Sequence, residues 1–163
     1  MKFKELKGDL FDEPYREGDI YAHCISEDFE MGAGIAREFR ERFPVFAEKK
    51  EFFVNDYEPS KNRRLYVVKS DNVLIANLVT KKRYWHKPTY ATIETSIWSL
   101  RKYVENHPEI KRILMPRIGS GLDRLSWQEV KVILKETSYQ DVKTILKETF
   151  SDLDVEIKVF YLK

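Results

Sequence analysis

The chain has 163 residues, of which 42% are hydrophobic and 34% are charged, and its formal net charge is +2. This apolar content is too high for a disordered chain, and the near balance of 29 basic and 27 acidic residues excludes a strongly basic nucleic-acid coat or an acidic tail. The single cysteine excludes an internal disulfide, and the three histidines lack the spacing of any metal motif. We therefore expect one domain over residues 1–163, with its own core and no metal.

The amino-terminal sequence lacks the apolar segment of a signal peptide. No stretch approaches the roughly 18 apolar residues that a membrane-spanning helix needs. We expect an intracellular protein, cytoplasmic or nuclear, that does not act on membranes, and a monomer is the simplest expectation for its assembly.

The first half of the chain contains two predicted strands and a helix. Apolar and charged residues alternate over 1–7, which is typical of an edge strand, and a second strand is predicted over 19–25. Ile35, Phe39 and Phe43 recur at four-residue spacing and predict a helix over 34–43. Pro44 interrupts this pattern, and a further helical piece is expected over 45–53.

The second half contains the most apolar segments. The run VLIANLVT, Val73–Thr80, has no alternation and predicts a central parallel strand that is buried on both faces. A long helix follows, with Pro88 in its first turn, and ends near Asn106. Further strands are predicted over 65–68, 112–116 and 155–161. Strands that alternate with helices require crossover connections, and therefore predict an α/β fold with a largely parallel sheet that is covered on both faces.

Residues 126–149 contain a tandem repeat of 12 residues, SWQEVKVILKET followed by SYQDVKTILKET. A straight helix would rotate the apolar face of the second copy by about 120° relative to the first. Each copy also begins with a helix-capping serine. Two short helices with a break near Thr137 are therefore slightly favoured over one long helix, and we expect the repeat to lengthen the helical region without chemistry of its own.

Two glycine-containing loops are candidate phosphate sites, because ligands bind at the carboxyl ends of strands in open α/β sheets. MGAGI, Met31–Ile35, precedes the first predicted helix, and RIGSGLD, Arg117–Asp123, follows a buried strand. Backbone amides in such loops can approach an anion, and two loops at one edge favour a diphosphate site over plain glycine turns. Neither loop matches a dinucleotide or nucleoside-triphosphatase motif.

Lys81 directly follows the predicted central strand. The alternatives are a solvated basic patch and a reactive amine. Partial burial at the mouth of a pocket, near Lys82 and Arg83, would favour the neutral form of Lys81, which is a nucleophile toward an aldehyde-like carbon. Asp123, on the facing glycine loop, could move a proton, although it could also be a turn residue before the Ser126 helix.

Two further clusters are weaker candidates. His23 and Cys24 are neighbours in a strand, so their side chains point to opposite faces and cannot form a catalytic pair. Ser26, Glu27 and Asp28 are acidic enough for a metal but lack the spacing of an ion-binding loop.

Four motifs occur in the order seen in macrodomains: KGDLF, HCISEDFEMGAGIA, VTKKRYWHKPTY and MPRIGSGLDRLSW. From about Lys7 to its end, the chain resembles the macrodomain subgroup of terminal ADP-ribose protein glycohydrolases. The resemblance implies a three-layer α/β/α fold with a mixed, largely parallel central sheet that binds ADP-ribose at the strand ends. It also implies hydrolysis without a cofactor.

The resemblance assigns roles to particular residues. Lys81 would attack the anomeric carbon of the distal ribose, and Asp123 would transfer a proton and help to resolve the lysine adduct. Ser26 would lie beside the distal ribose. Asp9 would read the adenine, with Leu10 beside the base, and Leu162 would close that end of the site. The diphosphate and ribose loops would comprise Met31, Gly32, Ala33, Gly34 and Ile35, together with Arg117, Ile118, Gly119, Ser120, Gly121 and Leu122.

The activity that the resemblance implies is removal of ADP-ribose from modified Glu or Asp side chains of proteins, and deacylation of O-acetyl-ADP-ribose. A module that binds ADP-ribose without turnover and a hydrolase of ADP-ribosylated nucleic acid are the alternatives. Tyr84 and Trp85 depart from the smaller residues that are usual there. They could cover the cleft or stack on a base of a nucleic acid, and we favour a packed loop instead.

Overall fold

The apolar runs of the sequence form the strands of one six-stranded sheet in the computed structural model, which describes residues 1–47, 65–119 and 142–162. The spatial order of the strands is β1-β6-β5-β2-β4-β3. All neighbouring strands pair in parallel except β3, which is antiparallel to β4. The strands are β1 (Lys2–Lys7), β2 (Asp19–Ser26), β3 (Leu65–Ser70), β4 (Val73–Lys81), β5 (Arg112–Pro116) and β6 (Glu156–Tyr161).

Helices cover both faces of the sheet. The described helices are α1 (Gly34–Arg42), α2 (Tyr90–Glu105) and α3 (Val142–Phe150), and short 3-10 turns span Leu10–Asp12 and Pro44–Ala47. Side chains of α1 and of both 3-10 turns pack on one face of the sheet, whereas those of α2 and α3 pack on the other. This arrangement confirms the predicted three-layer α/β/α fold with a mixed, largely parallel sheet. No described helix is both long and apolar enough to span a membrane.

Two helical segments differ from the sequence prediction. The described part of the helix expected over 45–53 is a 3-10 turn at Pro44–Ala47, and the rest lies outside the described residues. The long helix begins at Tyr90 rather than at Pro88, because Thr89 caps it: Thr92 N–H donates to Thr89 Oγ1 at 3.1 Å, and Thr89 N–H donates to Thr92 Oγ1 at 2.9 Å. Of the 12-residue repeat, residues 126–141 lie outside the described ranges.

A buried ion cluster connects the amino ends of β2 and β5. Arg112 donates from Nε and Nη2 to the two carboxylate oxygens of Asp19, at 2.8 and 2.6 Å, and from Nη1 to Glu13 at 2.6 Å. The side chains of Arg112 and Asp19 are 4% and 1% exposed. Because water is excluded, each charge depends on its partner for compensation, and the cluster holds the segment before β2 against β5.

His23 is a second buried polar group on β2. Its ring is fully buried, stacks on Phe39 with ring centroids 4.0 Å apart, and places Nε2 at 2.6 Å from Asn77 Oδ1. Burial lowers the pKa of His23 to about 4, against a smaller opposing effect of the Asn77 hydrogen bond. His23 is therefore neutral in the folded protein at physiological pH.

We expect this burial to make the protein less stable as the pH falls from 6.5 to about 4. In this range an unfolded histidine, with a pKa near 6.5, takes up a proton that the folded protein does not, which lowers the free energy of unfolding by up to about 3 kcal/mol. Urea denaturation of wild type and His23→Phe at several pH values measures the effect. The variant is expected to show a shallower decline between pH 6.5 and 4.5, and equal declines would contradict the expectation.

Candidate active site at the carboxyl edge of the sheet

A cavity of about 840 Å³ opens at the carboxyl ends of the adjacent parallel strands β5, β2 and β4. This position is the usual ligand site of open α/β sheets, and the volume suits a ligand of nucleotide size. Its lining consists of residues 24–26, 30–36, 80–81, 84–87 and 116–119. Three loops that the sequence places in different parts of the chain therefore meet in one cavity.

Most of the predicted site residues lie in this lining. They are Ser26, Met31, Gly32, Ala33, Gly34, Ile35, Lys81, Arg117, Ile118 and Gly119. Ser120, Gly121, Leu122 and Asp123 lie outside the described residues. The role of Asp123 therefore stays a prediction.

The three residues predicted for the adenine end lie along the same edge but do not line the cavity. Asp9 Oδ1 accepts a hydrogen bond from Phe11 N–H at 2.9 Å, and the side chain of Leu10 is buried against the α1 side of the sheet. Leu162 follows β6 and is 71% exposed. Pairing of β1 with β6 brings the segments of Asp9 and Leu162 together at the carboxyl edge.

Lys81 is the last residue of β4 and lines the cavity. The pairing register between β2 and β4 shifts by one residue just before it, so that Ser26 pairs with Lys81 and Thr80 has no partner on β2. Such a bulge re-aims the residue that follows it. The Lys81 carbonyl also accepts a hydrogen bond from Glu27 N–H at 2.8 Å, which fixes the backbone at this point.

The loop before α1 has a strained backbone. Phe29 and Met31 have φ angles of 57° and 47°, in the left-handed region that non-glycine residues rarely adopt, and Gly34 has a φ of 61°. Ala33 precedes α1 at its N-cap and, unlike Thr89 before α2, provides no side-chain acceptor for the first-turn amides. Amides at such a helix start can bind an anion in the cavity.

The segment 82–87 is more exposed than the sequence predicted. The prediction that Tyr84 and Trp85 form a packed loop is wrong, because these residues are 57% and 64% exposed. Their rings meet edge to face with centroids 5.1 Å apart, and both residues line the mouth of the cavity. All six residues of the segment KRYWHK, 82–87, are exposed, and of these the residues 84–87 line the cavity, so that two aromatic rings and the Lys87 cation lie at its mouth.

Arg117 has contacts that sequence reasoning did not anticipate. Its guanidinium lies 3.9 Å from the centroid of the Tyr161 ring, and Nε and Nη2 each lie 3.0 Å from Glu5 Oε2. Glu5 also pairs with Lys143 of α3 at 2.7 Å. The positive charge of Arg117 is therefore held toward β1 and β6, on the side of the cavity where Asp9 lies.

Several lining residues were missed because nothing in their local pattern marks them. The hydroxyl of Thr80 is buried and has no hydrogen-bond partner within the described part of the chain. The residues missed are Cys24, Ile25, Glu30, Ala36, Thr80, His86, Lys87 and Pro116, whereas Tyr84 and Trp85 were considered as a cover of the cleft but expected to form a packed loop. Cys24, Ile25, Thr80 and Pro116 lie at the carboxyl ends of their strands, and this position is a signal that could have identified them.

The fold is that of macrodomains. The macrodomain of Thermus aquaticus DarG superposes with a TM-score of 0.72 over 98% of this chain and 97% of that chain, at 21% sequence identity. Thermosipho africanus DarTG in complex with ADP-ribose superposes with a TM-score of 0.66 over 98% of this chain and 41% of that chain, at 18% identity. No protein-family model matches the chain.

A closer relationship comes from sequence. ADP-ribose glycohydrolase OARD1 of Homo sapiens is 37% identical over 157 residues, which cover 96% of this chain and 90% of that protein. The chain therefore belongs to the macrodomain family, in the group that contains this glycohydrolase.

Proposed function

We propose that the protein binds ADP-ribose in the cavity at the carboxyl edge and hydrolyses its linkage to carboxylate side chains of modified proteins. The observation that carries the proposal is that Lys81, the glycine-containing loop 31–35 and the first turn of α1 line one cavity. The identity to ADP-ribose glycohydrolase OARD1 supports hydrolysis of an ADP-ribose linkage.

The proposed binding mode uses the ends of three strands. The diphosphate lies against the first turn of α1 and the two glycine loops, whose amides donate to its oxygens. Ser26, which is buried at the end of β2, contacts the distal ribose. The adenine lies toward Asp9, Leu10 and Leu162, on the side to which Arg117 is directed.

The proposed chemistry uses the amine of Lys81. Its nitrogen lone pair attacks the anomeric carbon of the distal ribose, the bond from that carbon to the acyl oxygen breaks, and the carboxylate of the modified protein leaves. Asp123 moves the proton that the amine loses and assists the water that releases ADP-ribose from the lysine adduct. The same steps deacylate O-acetyl-ADP-ribose when its acetyl group is carried on the anomeric oxygen, because acetate is then the group that leaves the anomeric carbon.

Incubation with a protein that carries ADP-ribose on Glu and Asp tests the proposal. We expect release of ADP-ribose from the wild-type protein at a rate that saturates with substrate. A module that only binds the ligand would instead show affinity for ADP-ribose in calorimetry without any release. That result would replace the proposed hydrolase with the binding alternative.

A hydrolase of ADP-ribosylated nucleic acid is the second candidate, and the exposed segment 82–87 favours it. Aromatic faces stack on bases, and cations bind the phosphate backbone. Trp85→Ala is expected to lower kcat/KM by about 5-fold or more on ADP-ribosylated single-stranded DNA, the size of one lost base stack, and by less than about 2-fold on modified protein. Equal losses on both substrates would argue against this candidate.

A further inference from the structure

Asp28 joins the two loops that border the cavity between β2 and β4. Its Oδ1 accepts from the Ser26 hydroxyl and from Glu30 N–H at 3.3 Å, whereas Oδ2 accepts from Tyr84 N–H at 3.0 Å. Ser26 is the last residue of β2 and Glu30 belongs to the loop after it, whereas Tyr84 belongs to the loop after β4. One half-buried carboxylate therefore satisfies donors on both loops.

A second connection lies close by. Glu27 N–H donates to the carbonyl of Lys81 at 2.8 Å. The segment from Lys81 to Tyr84 is thus attached at both of its ends to consecutive residues, Glu27 and Asp28. Because the attachment at Tyr84 depends on a side chain, it can be removed by substitution without changing the backbone.

The carboxylate also determines the direction of the Ser26 hydroxyl. An ionised carboxylate has no proton to donate, so the hydrogen bond between the two residues must run from Ser26 Oγ–H to Asp28. The lone pairs of the buried Ser26 oxygen then remain as acceptors at the cavity wall. A hydroxyl-rich ligand such as a ribose supplies the matching donor.

The ionised state of Asp28 follows from its surroundings. Burial raises the pKa of Asp28, but the hydrogen bonds from Ser26, Tyr84 and Glu30 and the nearby charge of Arg83 outweigh this effect, and the pKa lies below its usual value. Asp28 is therefore a carboxylate at neutral pH.

We propose that Asp28 is a positioning residue that orients the Ser26 hydroxyl as an acceptor for a ribose hydroxyl and holds the loop that begins at Lys81. This inference rests on the proposed function, since it concerns the same cavity. The acidic Ser26–Asp28 cluster therefore acts through hydrogen bonds to the site and needs no metal ion for this role.

Asp28→Asn is the most informative substitution because it keeps the shape of the side chain. The Tyr84 amide cannot reverse its direction, so the Asn oxygen stays on Tyr84 and the NH₂ group faces Ser26 and Glu30 N–H. The Ser26 hydroxyl must then accept, and its proton turns toward the cavity. The same NH₂ group also faces the backbone N–H of Glu30, and two donors cannot form a hydrogen bond with each other. The acceptor that Ser26 presents to the cavity is therefore replaced by a donor, which opposes a ligand hydroxyl whose own proton points at Ser26.

A double-variant cycle measured with ADP-ribose in calorimetry tests this coupling. Asp28→Asn and Ser26→Ala are each expected to raise Kd by about 10-fold, the upper end of the range for one uncharged hydrogen bond. The double variant is expected to bind within about 2-fold of the weaker single variant, because coupled residues are not additive. Asp71→Asn is the matched control, since Asp71 is exposed in the turn between β3 and β4, at the opposite end of the strands.

The outcomes separate the two proposals. Additive effects in the cycle, or an unchanged Kd for Asp28→Asn, would overturn the role of Asp28 while leaving the proposed function intact. Absence of ADP-ribose binding by the wild-type protein would instead overturn the proposed function, and the ribose contact with it.

A kinetic comparison distinguishes positioning from a purely structural role. Asp28→Ala is expected to lower kcat by about 10-fold more than Ser26→Ala does, because only the aspartate substitution releases the Tyr84 amide and with it the loop after Lys81. If Asp28 only stabilised the fold, the melting temperature would fall while kcat and Kd of the folded protein stayed at wild-type values, and the inference would be wrong.

Discussion

Replacement of Lys81 by alanine is expected to lower the rate of ADP-ribose release by on the order of 10³-fold or more, because the proposed reaction has no other nucleophile. ADP-ribose is still expected to bind, since the proposed diphosphate contacts come from backbone amides of the two glycine loops and of the first turn of α1. Single-turnover release from a carboxylate-linked substrate measures the rate, and calorimetry measures the affinity. Lys69→Ala is the matched control, because Lys69 is exposed on β3, away from the cavity.

A wild-type rate of release in Lys81→Ala would show that Lys81 is not the nucleophile.

A complementary experiment looks for the covalent adduct itself. Asp123→Ala incubated with ADP-ribose is expected to accumulate a covalent adduct on Lys81, visible by mass spectrometry, because the step that resolves the adduct is slowed by about 10²–10⁴-fold. Non-covalent binding alone would favour a module that binds ADP-ribose without turnover.

Replacement of Arg112 by alanine is expected to lower the free energy of unfolding by about 3–5 kcal/mol. The change would leave Asp19, whose side chain is 1% exposed, without its two hydrogen bonds to Arg112 and without a compensating charge. Urea denaturation at pH 7 measures the loss. Arg37→Ala provides the control, because Arg37 and Glu41 form an ion pair with side chains 60% and 57% exposed, which contributes at most about 0.5 kcal/mol.

The loss of stability in Arg112→Ala should arise mainly because the buried carboxylate of Asp19 is left without a compensating charge, and less because packing is lost. We therefore expect that adding Asp19→Asn recovers part of the stability, since an uncharged amide is less costly to bury than a carboxylate. A double variant that is as unstable as the sum of the two single variants would contradict this explanation. The cluster lies at the amino ends of β2 and β5, so neither variant touches the cavity.

Local patterns were sufficient where one segment carries the whole signal. The unbroken apolar run before Lys81 predicted the central strand, because a strand that is buried on both faces needs apolar residues at every position. The Ile35, Phe39 and Phe43 spacing predicted α1 in the same way, and the structure places this helix over Gly34–Arg42. Glycines and a lysine near the ends of such segments located about half of the cavity lining.

Local patterns failed where a contact joins distant parts of the chain. Asp28 and Tyr84 are 56 residues apart, and Asp19 and Arg112 are 93 residues apart, so no periodicity in either segment records these contacts. Exposure of Tyr84 and Trp85 was also misjudged. Aromatic residues are usually buried, which favoured the prediction of a packed loop. The sequence of the segment does not reveal that the loop is attached to Asp28 at one side and continues into the capped start of α2 at the other.

The amino-acid sequence was thus enough to establish the α/β class, the family resemblance and the loops that line the cavity, because hydrophobic periodicity and short motifs are properties of contiguous residues. The folded chain was needed to show that Lys81 follows a shift in strand register, that the exposed residues 84–87 line the cavity, and that Asp28 connects two loops. These features depend on hydrogen bonds and packing between segments, and such contacts form only when the sheet brings the strand ends together.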